Sequence, residues 1–146
     1  MTLDLESRLA LEEHEPAVVA FLAEHGGRIF AQAGELAVRW LVLRPVTDLN
    51  QEYTARLTWV RHPHDAPSVT FTLGVGGSVG VTGAWPLIPG YRAPNDICMP
   101  FTSEGFSIHP EWRTGPDAWI PTGNPYLRIA TQLQNDLDHR YQGRAT

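Results

Sequence analysis

The sequence predicts one α+β domain over residues 1–146: an N-terminal helix, an antiparallel meander of about four strands, a long irregular active-site segment and a C-terminal helix. Three observations predict it. Apolar residues recur with the helical period at both ends of the chain, and with a period of two between Glu35 and Phe71. The stretch from Ala84 to Pro125 is dense in Pro, Gly and Trp and has no period at all. A chain of 146 residues buries a single core, and 42% hydrophobic with 18% charged residues is the balance of a globular protein.

Each element has its own signal. Leu3, Leu5, Leu9 and Leu11, then Val18, Val19, Phe21 and Leu22, predict two short amphipathic helical segments. The break between them is placed before Pro16, because proline suits a first helical turn and disfavours helix in the residue before it. Gly26-Gly27 stops the second segment. "ELAVRWLVL" reads as a strand, and "EYTARLTWV" sets Tyr53, Ala55, Leu57 and Trp59 on one face against Thr54, Arg56 and Thr58 on the other. "SVTFTLGV" is a further strand, and the glycine-rich "GGSVGVTG" after it reads as a loop or short hairpin. Asn124 caps the last helix, Pro125 fills its first turn, and Leu127, Ile129, Ala130, Leu133, Leu137 and Tyr141 line one face.

Composition excludes several classes. The net charge is −5, and the eleven basic residues are scattered, so no nucleic-acid footprint is expected. No apolar run reaches the roughly 20 residues that span a bilayer, so no membrane partner is expected either. The acidic, helical start is the opposite of a signal peptide, and the one unpaired cysteine forms no internal disulfide; the expected compartment is the cytoplasm. No cofactor is expected. "GVGGSVG" lacks the Lys-Ser/Thr and the following helix of a phosphate-cradling loop. His62 and His64 on the Pro63 turn lack a third ligand, so metal is expected to be absent and both rings are expected on a solvent-facing bend.

The chemistry concentrates in "YRAPNDICMPF", Tyr91 to Phe101, which holds the only cysteine, Cys98, between Pro94 and Pro100. Prolines on either side restrain such a loop and hold the sulfur in one attack geometry. Several of the surrounding residues form an ordered series. "YTARLTWVRHPHDAPSVTF" resembles the pattern of ubiquitin-conjugating enzymes, in which a strand leads into Tyr-Pro-x-x-Pro-Pro and then a Val-x-Phe strand. Here that segment is His62-Pro63-His64-Asp65-Ala66-Pro67, then Val69 and Phe71. The family places His-Pro-Asn ten residues before its catalytic cysteine and an apolar residue directly before it. Ile88-Pro89-Gly90 begins ten residues before Cys98, and Ile97 precedes it. A tryptophan and then an amphipathic helix follow the cysteine in the family; Trp112 or Trp119 and the helix after Asn124 are similar. Only Pro89 of His-Pro-Asn is matched, and Gly90 stands where the family has asparagine. Such departures look like the divergent bacterial members.

The resemblance covers Gly34 to Tyr141 and implies a UBC-like fold, with Cys98 carrying a modifier's C-terminus as a thioester. It implies an activating enzyme, a ubiquitin-like protein and a target protein as partners. Asn95, or loop backbone N–H groups, are candidates for the missing oxyanion donor. Asp96 and Asp117 are candidates to orient or deprotonate the incoming amine, and His109 is the candidate general base. Two other readings stay open: a catalytically inactive variant that binds a ubiquitin-like protein or activating enzyme, and a cysteine hydrolase using Cys98, His109 and Asp117.

Overall fold

The computed structural model describes residues 3–146. Helix α1, Leu5–Glu24, starts on Asp4, whose Oδ1 accepts the Ser7 N–H at 2.8 Å, and runs unbroken through Pro16. The expected break at Pro16 is therefore corrected. Ser7, Leu11, Val18 and Leu22 keep one buried face on both sides of the proline. Pro16 and Glu12 are both exposed, so water can serve the Glu12 carbonyl that a proline leaves without a helical N–H. Packing along that face outweighs the local cost. The helix ends as Gly26-Gly27 predicts: Gly27 N–H reaches Leu22 O at 2.7 Å and Gly26 N–H reaches Ala23 O at 3.2 Å, with Gly26 at φ +75°. A side chain on Gly27 would lie 2.4 Å from the Val42 carbonyl oxygen, so glycine lets the helix end against the sheet.

Strands β1 (Arg28–Phe30), β2 (Val38–Leu43), β3 (Tyr53–Thr58) and β4 (Ser68–Thr72) form one antiparallel sheet in sequence order. β1 carries no alternation legible in three residues; it exists because it pairs with β2, Phe30 opposite Trp40. The register aligns Leu41, Ala55 and Phe71 in one row and Leu57 with Val69 in another. That inner face joins Leu11, Val18 and Leu22 of α1 and Ile129, Ala130, Leu133 and Leu137 of the last helix in one core. Trp59 and Tyr126 meet edge to face within it, ring centroids 4.8 Å apart. The outer face carries threonines, with the Arg56 guanidinium 5.6 Å above the Trp40 ring.

The segment after β4 is not wholly irregular, which corrects the expectation for Ala84–Pro125. It contains a small hairpin, β5 (Tyr91–Arg92) and β6 (Asp96–Ile97), a six-residue helix α2 (Ser103–Ile108) and a 3-10 turn at Pro110–Arg113. These pieces are too short to set up a period. Helix α3, Pro125–His139, begins as read from the sequence, Asn124 Oδ1 accepting the Leu127 N–H at 2.9 Å. Beyond α3 the chain doubles back as a strap. Leu87 N–H reaches Gly143 O at 2.7 Å, Gln142 N–H reaches Leu87 O at 2.9 Å, and Ala145 N–H reaches Trp85 O at 2.9 Å.

Pro16→Ala should raise stability, because it restores the Glu12 hydrogen bond and removes the ring clash at an exposed site. An interior proline costs about 3 kcal/mol, so a gain of about 1–3 kcal/mol is expected in chemical denaturation. A lowered midpoint would show that α1 needs the proline's geometry.

Candidate functional site

Cys98 directly follows β6, outside the main sheet, in a hairpin that packs beside edge strand β4 and α2. Its backbone N–H donates to Gly90 O at 2.8 Å, extending the ladder that pairs Tyr91 with Ile97 and Arg92 with Asp96. Alternation along the strand then orients the side chains. Tyr91 and Ile97 are buried, so Asp96 and Cys98 fall on the opposite face, with Arg92 across from Asp96. Cys98 itself is half-buried.

Both flanks of the thiol are fixed. Inside, Tyr91 Oη donates to Asp136 Oδ2 of α3 at 2.7 Å, fully enclosed, and burial beside that carboxylate drives the phenol's pKa well above its ordinary value. After the cysteine, Thr102 Oγ1 donates to Ile97 O at 2.6 Å and accepts the Gly105 N–H at 2.9 Å, capping α2. A side chain at Gly105 would fall 2.0 Å from Met99 O, so glycine allows α2 to sit this close. Glu104, at the start of α2, accepts from Ser68 Oγ and from Val69 N–H, tying α2 to β4.

The geometry also explains Gly90. Its φ of +91° is a left-handed value, and a side chain there would meet Met99 Sδ at 2.8 Å. Met99 occupies the space an asparagine side chain would need.

The residues singled out in the sequence are placed apart. Asn95 is exposed in the hairpin turn, its backbone N–H on Arg92 O at 2.8 Å, at the far end from Cys98. His109 closes α2; its Nδ1 is 2.8 Å from Glu111 Oε1 and its ring stacks on Trp112 at 4.2 Å. Hydrogen bonds from the Glu111 backbone and from His109 hold the Glu111 carboxyl below its usual range. Asp117 is exposed in the Gly115–Ala118 turn. Among the described residues, no hydrogen bond joins Cys98, Asn95, His109 and Asp117 to one another.

The residue the sequence reading missed is Arg92. Its Nε and Nη2 grip Asp96 Oδ1 and Oδ2 at 2.7 and 2.8 Å, a bidentate pair that leaves Nη1 free. Asp96, the candidate to orient or deprotonate the incoming amine, is thus engaged by Arg92. Hydrogen bonding and charge from Asp96 raise the guanidinium's pKa. The signal was in the sequence: Arg92, Asp96 and Cys98 share one parity across the three residues 93–95.

The Pro63 turn differs from expectation. His62 is fully buried, which corrects the solvent-facing bend; His64 is exposed. His62 Nε2 lies 2.8 Å from His14 Nδ1, the His62 backbone N–H donates to Ser7 Oγ at 3.0 Å, and its ring meets Trp59 and Tyr126 edge-on. Its Nδ1 has no partner. Buried against aromatic rings, this imidazole fills the space beneath α1. His64 pairs instead with Glu6. Among the described residues, no group of three or more His, Cys, Asp or Glu side chains is placed to hold a metal ion. Trp119 Nε1 donates to Pro63 O at 2.8 Å, so the late irregular segment folds back on this turn. A cleft of about 530 Å³ lies between them, with Val60, Phe106 and Trp119 among its walls and Arg113 at its rim.

No helix among the described residues is long and apolar enough to cross a membrane. No family model, curated protein or solved structure matches the chain at a significant level.

Burial, with help from His14 and His64, lowers the His62 pKa from 6.5 to about 4. The unfolded chain therefore takes up a proton near pH 6.5 that the folded protein refuses until about pH 4. The contribution is fully present above pH 6.5 and is lost as pH falls toward 4, about 3 kcal/mol in all at 1.36 kcal/mol per pH unit. The acid-side loss of stability should be shallower in His62→Gln than in the wild type over that window. Parallel curves would remove His62 from the acid response. Metal analysis of the purified protein should give less than one equivalent; stoichiometric zinc lost in His62→Ala would overturn this geometry.

Proposed function

We propose that the protein is a ubiquitin-conjugating-like enzyme of a bacterial ubiquitin-like modification pathway, with Cys98 as the acyl carrier. The observation that carries this reading is the display of Cys98. The chain's one thiol is half-buried on a hairpin fixed to α3 through Tyr91 and to α2 through Thr102. The element order supports it: helix, four-stranded antiparallel meander, cysteine-bearing segment, helix. So does the composition. All eleven basic residues are arginines and the chain contains no lysine, so no ε-amine of its own can intercept a thioester.

The chemistry needs little activation. The Cys98 thiolate attacks the thioester carbonyl on the activating enzyme; a C–S bond forms, the old one breaks, and the departing thiolate takes up the proton. An acceptor amine then attacks the acyl carbon, a C–N bond replaces the C–S bond, and the amine's proton passes to solvent or a base. Exchange between thioesters is nearly isoenergetic, so an ordinary thiol suffices. Charge builds on the acyl oxygen in both steps. Arg92, on the same face of the hairpin as Cys98 and with Nη1 uncommitted, is the donor this reading assigns to it, in place of the absent asparagine.

The second reading, a non-catalytic binder of a ubiquitin-like protein or activating enzyme, draws on one observation: Met99 fills the place where an asparagine side chain would act. The hydrolase reading has the least support, since the His109 ring is engaged by Glu111 and Trp112.

Incubation with the cognate activating enzyme, modifier and ATP should give a thiol-sensitive adduct that Cys98→Ala abolishes and Cys98→Ser converts to a slower-cleaving oxyester. Arg92→Gln should slow discharge to an amine about tenfold. That is less than the 10²–10³ of an enclosed oxyanion donor, because the Arg92 side chain is 53% exposed. Asn95→Ala should leave discharge near the wild-type rate. An adduct persisting in Cys98→Ala would exclude the carrier role; modifier binding without any adduct would select the binding module.

A further inference from the structure

A cleft of about 510 Å³ opens where the last turns of α1 and α3 meet the loop between β2 and β3. It is a different surface from the Cys98 hairpin, which packs against β4 and α2. Both helices present their C-terminal ends, the negative ends of their dipoles, here; α1 has no basic residue in its last turn, and α3 has His139. Glu24 and Asp138 add two carboxylates. Asp138 Oδ1 accepts from Val46 N–H and Gln134 Nε2, both at 2.9 Å, which leaves Oδ2 uncommitted. The one guanidinium in the wall, Arg44, has its Nη groups spent on Leu49 O at 2.7 Å and Glu52 at 2.9 Å.

The floor points to a ligand that donates hydrogen bonds. Gln134 is 3% exposed and commits both amide hydrogens, to Arg44 O at 2.8 Å and to Asp138, so its amide orientation is set. Its Oε1 is buried and accepts nothing. His25 Nδ1, in the same cleft, is likewise buried without a partner. A buried acceptor left unpaired is costly, and Gln134 Oε1 calls for a donor. Val46 and Leu49, 60% and 57% exposed, line the mouth with aliphatic surface.

We infer that this cleft binds a primary alkylammonium group, its N–H donors on Gln134, Asp138 and Glu24 and its alkyl chain on Val46 and Leu49. The chain has no lysine, so the ligand comes from outside it, as a lysine side chain of another molecule or as a free polyamine.

The test is titration of isotope-labelled protein with n-pentylammonium chloride, followed by amide NMR shifts, with 1-pentanol as the uncharged control. Saturable shifts at Gly26, Leu49 and Gln134 that pentanol does not reproduce are expected. Glu24→Gln and Asp138→Asn should each weaken binding about two- to fivefold, the range of an ion–dipole or surface charge contact. Glu24 is exposed and forms no hydrogen bond or ion pair among the described residues, so Glu24→Gln keeps the test valid if Asp138→Asn misfolds. Tighter binding of Nα-acetyl-lysine methylamide than of spermidine assigns the site to lysine side chains, and the reverse order assigns it to polyamines. Unsaturable shifts, equal shifts with pentanol, or unchanged affinity in folded Glu24→Gln would overturn the inference.

Discussion

The hairpin that carries Cys98 depends on one buried contact, the hydrogen bond from Tyr91 to Asp136. The stretch between β4 and α3 has too little regular structure to hold its own shape, and a long loop of that kind is ordered only by what it is tied to. Tyr91 enters the core next to Phe71, ring centroids 6.1 Å apart, and its hydroxyl meets a carboxylate that is itself fully buried on α3. Gln132, one turn earlier on α3, donates to the other Asp136 oxygen at 2.9 Å. A buried carboxylate is tolerated only when its oxygens are paired in this way. The hairpin that carries Cys98 thus inherits its position from a residue 45 positions after Tyr91 in the sequence.

Much of this architecture was legible in advance. The alternation in "EYTARLTWV" set the inner face, because one side of β3 packs on the helices and the other meets threonines and Arg56. The cap at Asn124 and the stop at Gly26-Gly27 were legible because both rest on local hydrogen bonds. Pro16 was misread because a local rule was applied to a helix held by tertiary packing on either side of it. β1 and the β5–β6 hairpin were invisible for a related reason: two or three residues show no period, and both depend on partners.

The site was legible in part. Cys98 stood out as the only thiol, and it lies half-buried directly after β6. The supporting cast did not follow. Asn95, His109 and Asp117 have the right chemistry in sequence, but side-chain direction comes from strand pairing and helix capping. Arg92 has that direction, because its parity in the hairpin is that of Asp96 and Cys98. Histidine type misled in the same way at His62, where an imidazole serves as a packed ring among aromatic neighbours.

The strap formed by residues 142–145 bears on how this protein is made. It pairs with Trp85–Leu87, the segment that feeds directly into Gly90 and the cysteine. Translation delivers Cys98 well before the strap, and before the part of α3 that receives Tyr91. A nascent chain therefore carries its thiol on an unbraced loop until the last of these residues leaves the ribosome. A chain stopped short of residue 142 would keep the cysteine but lose the strap that pairs with Trp85–Leu87.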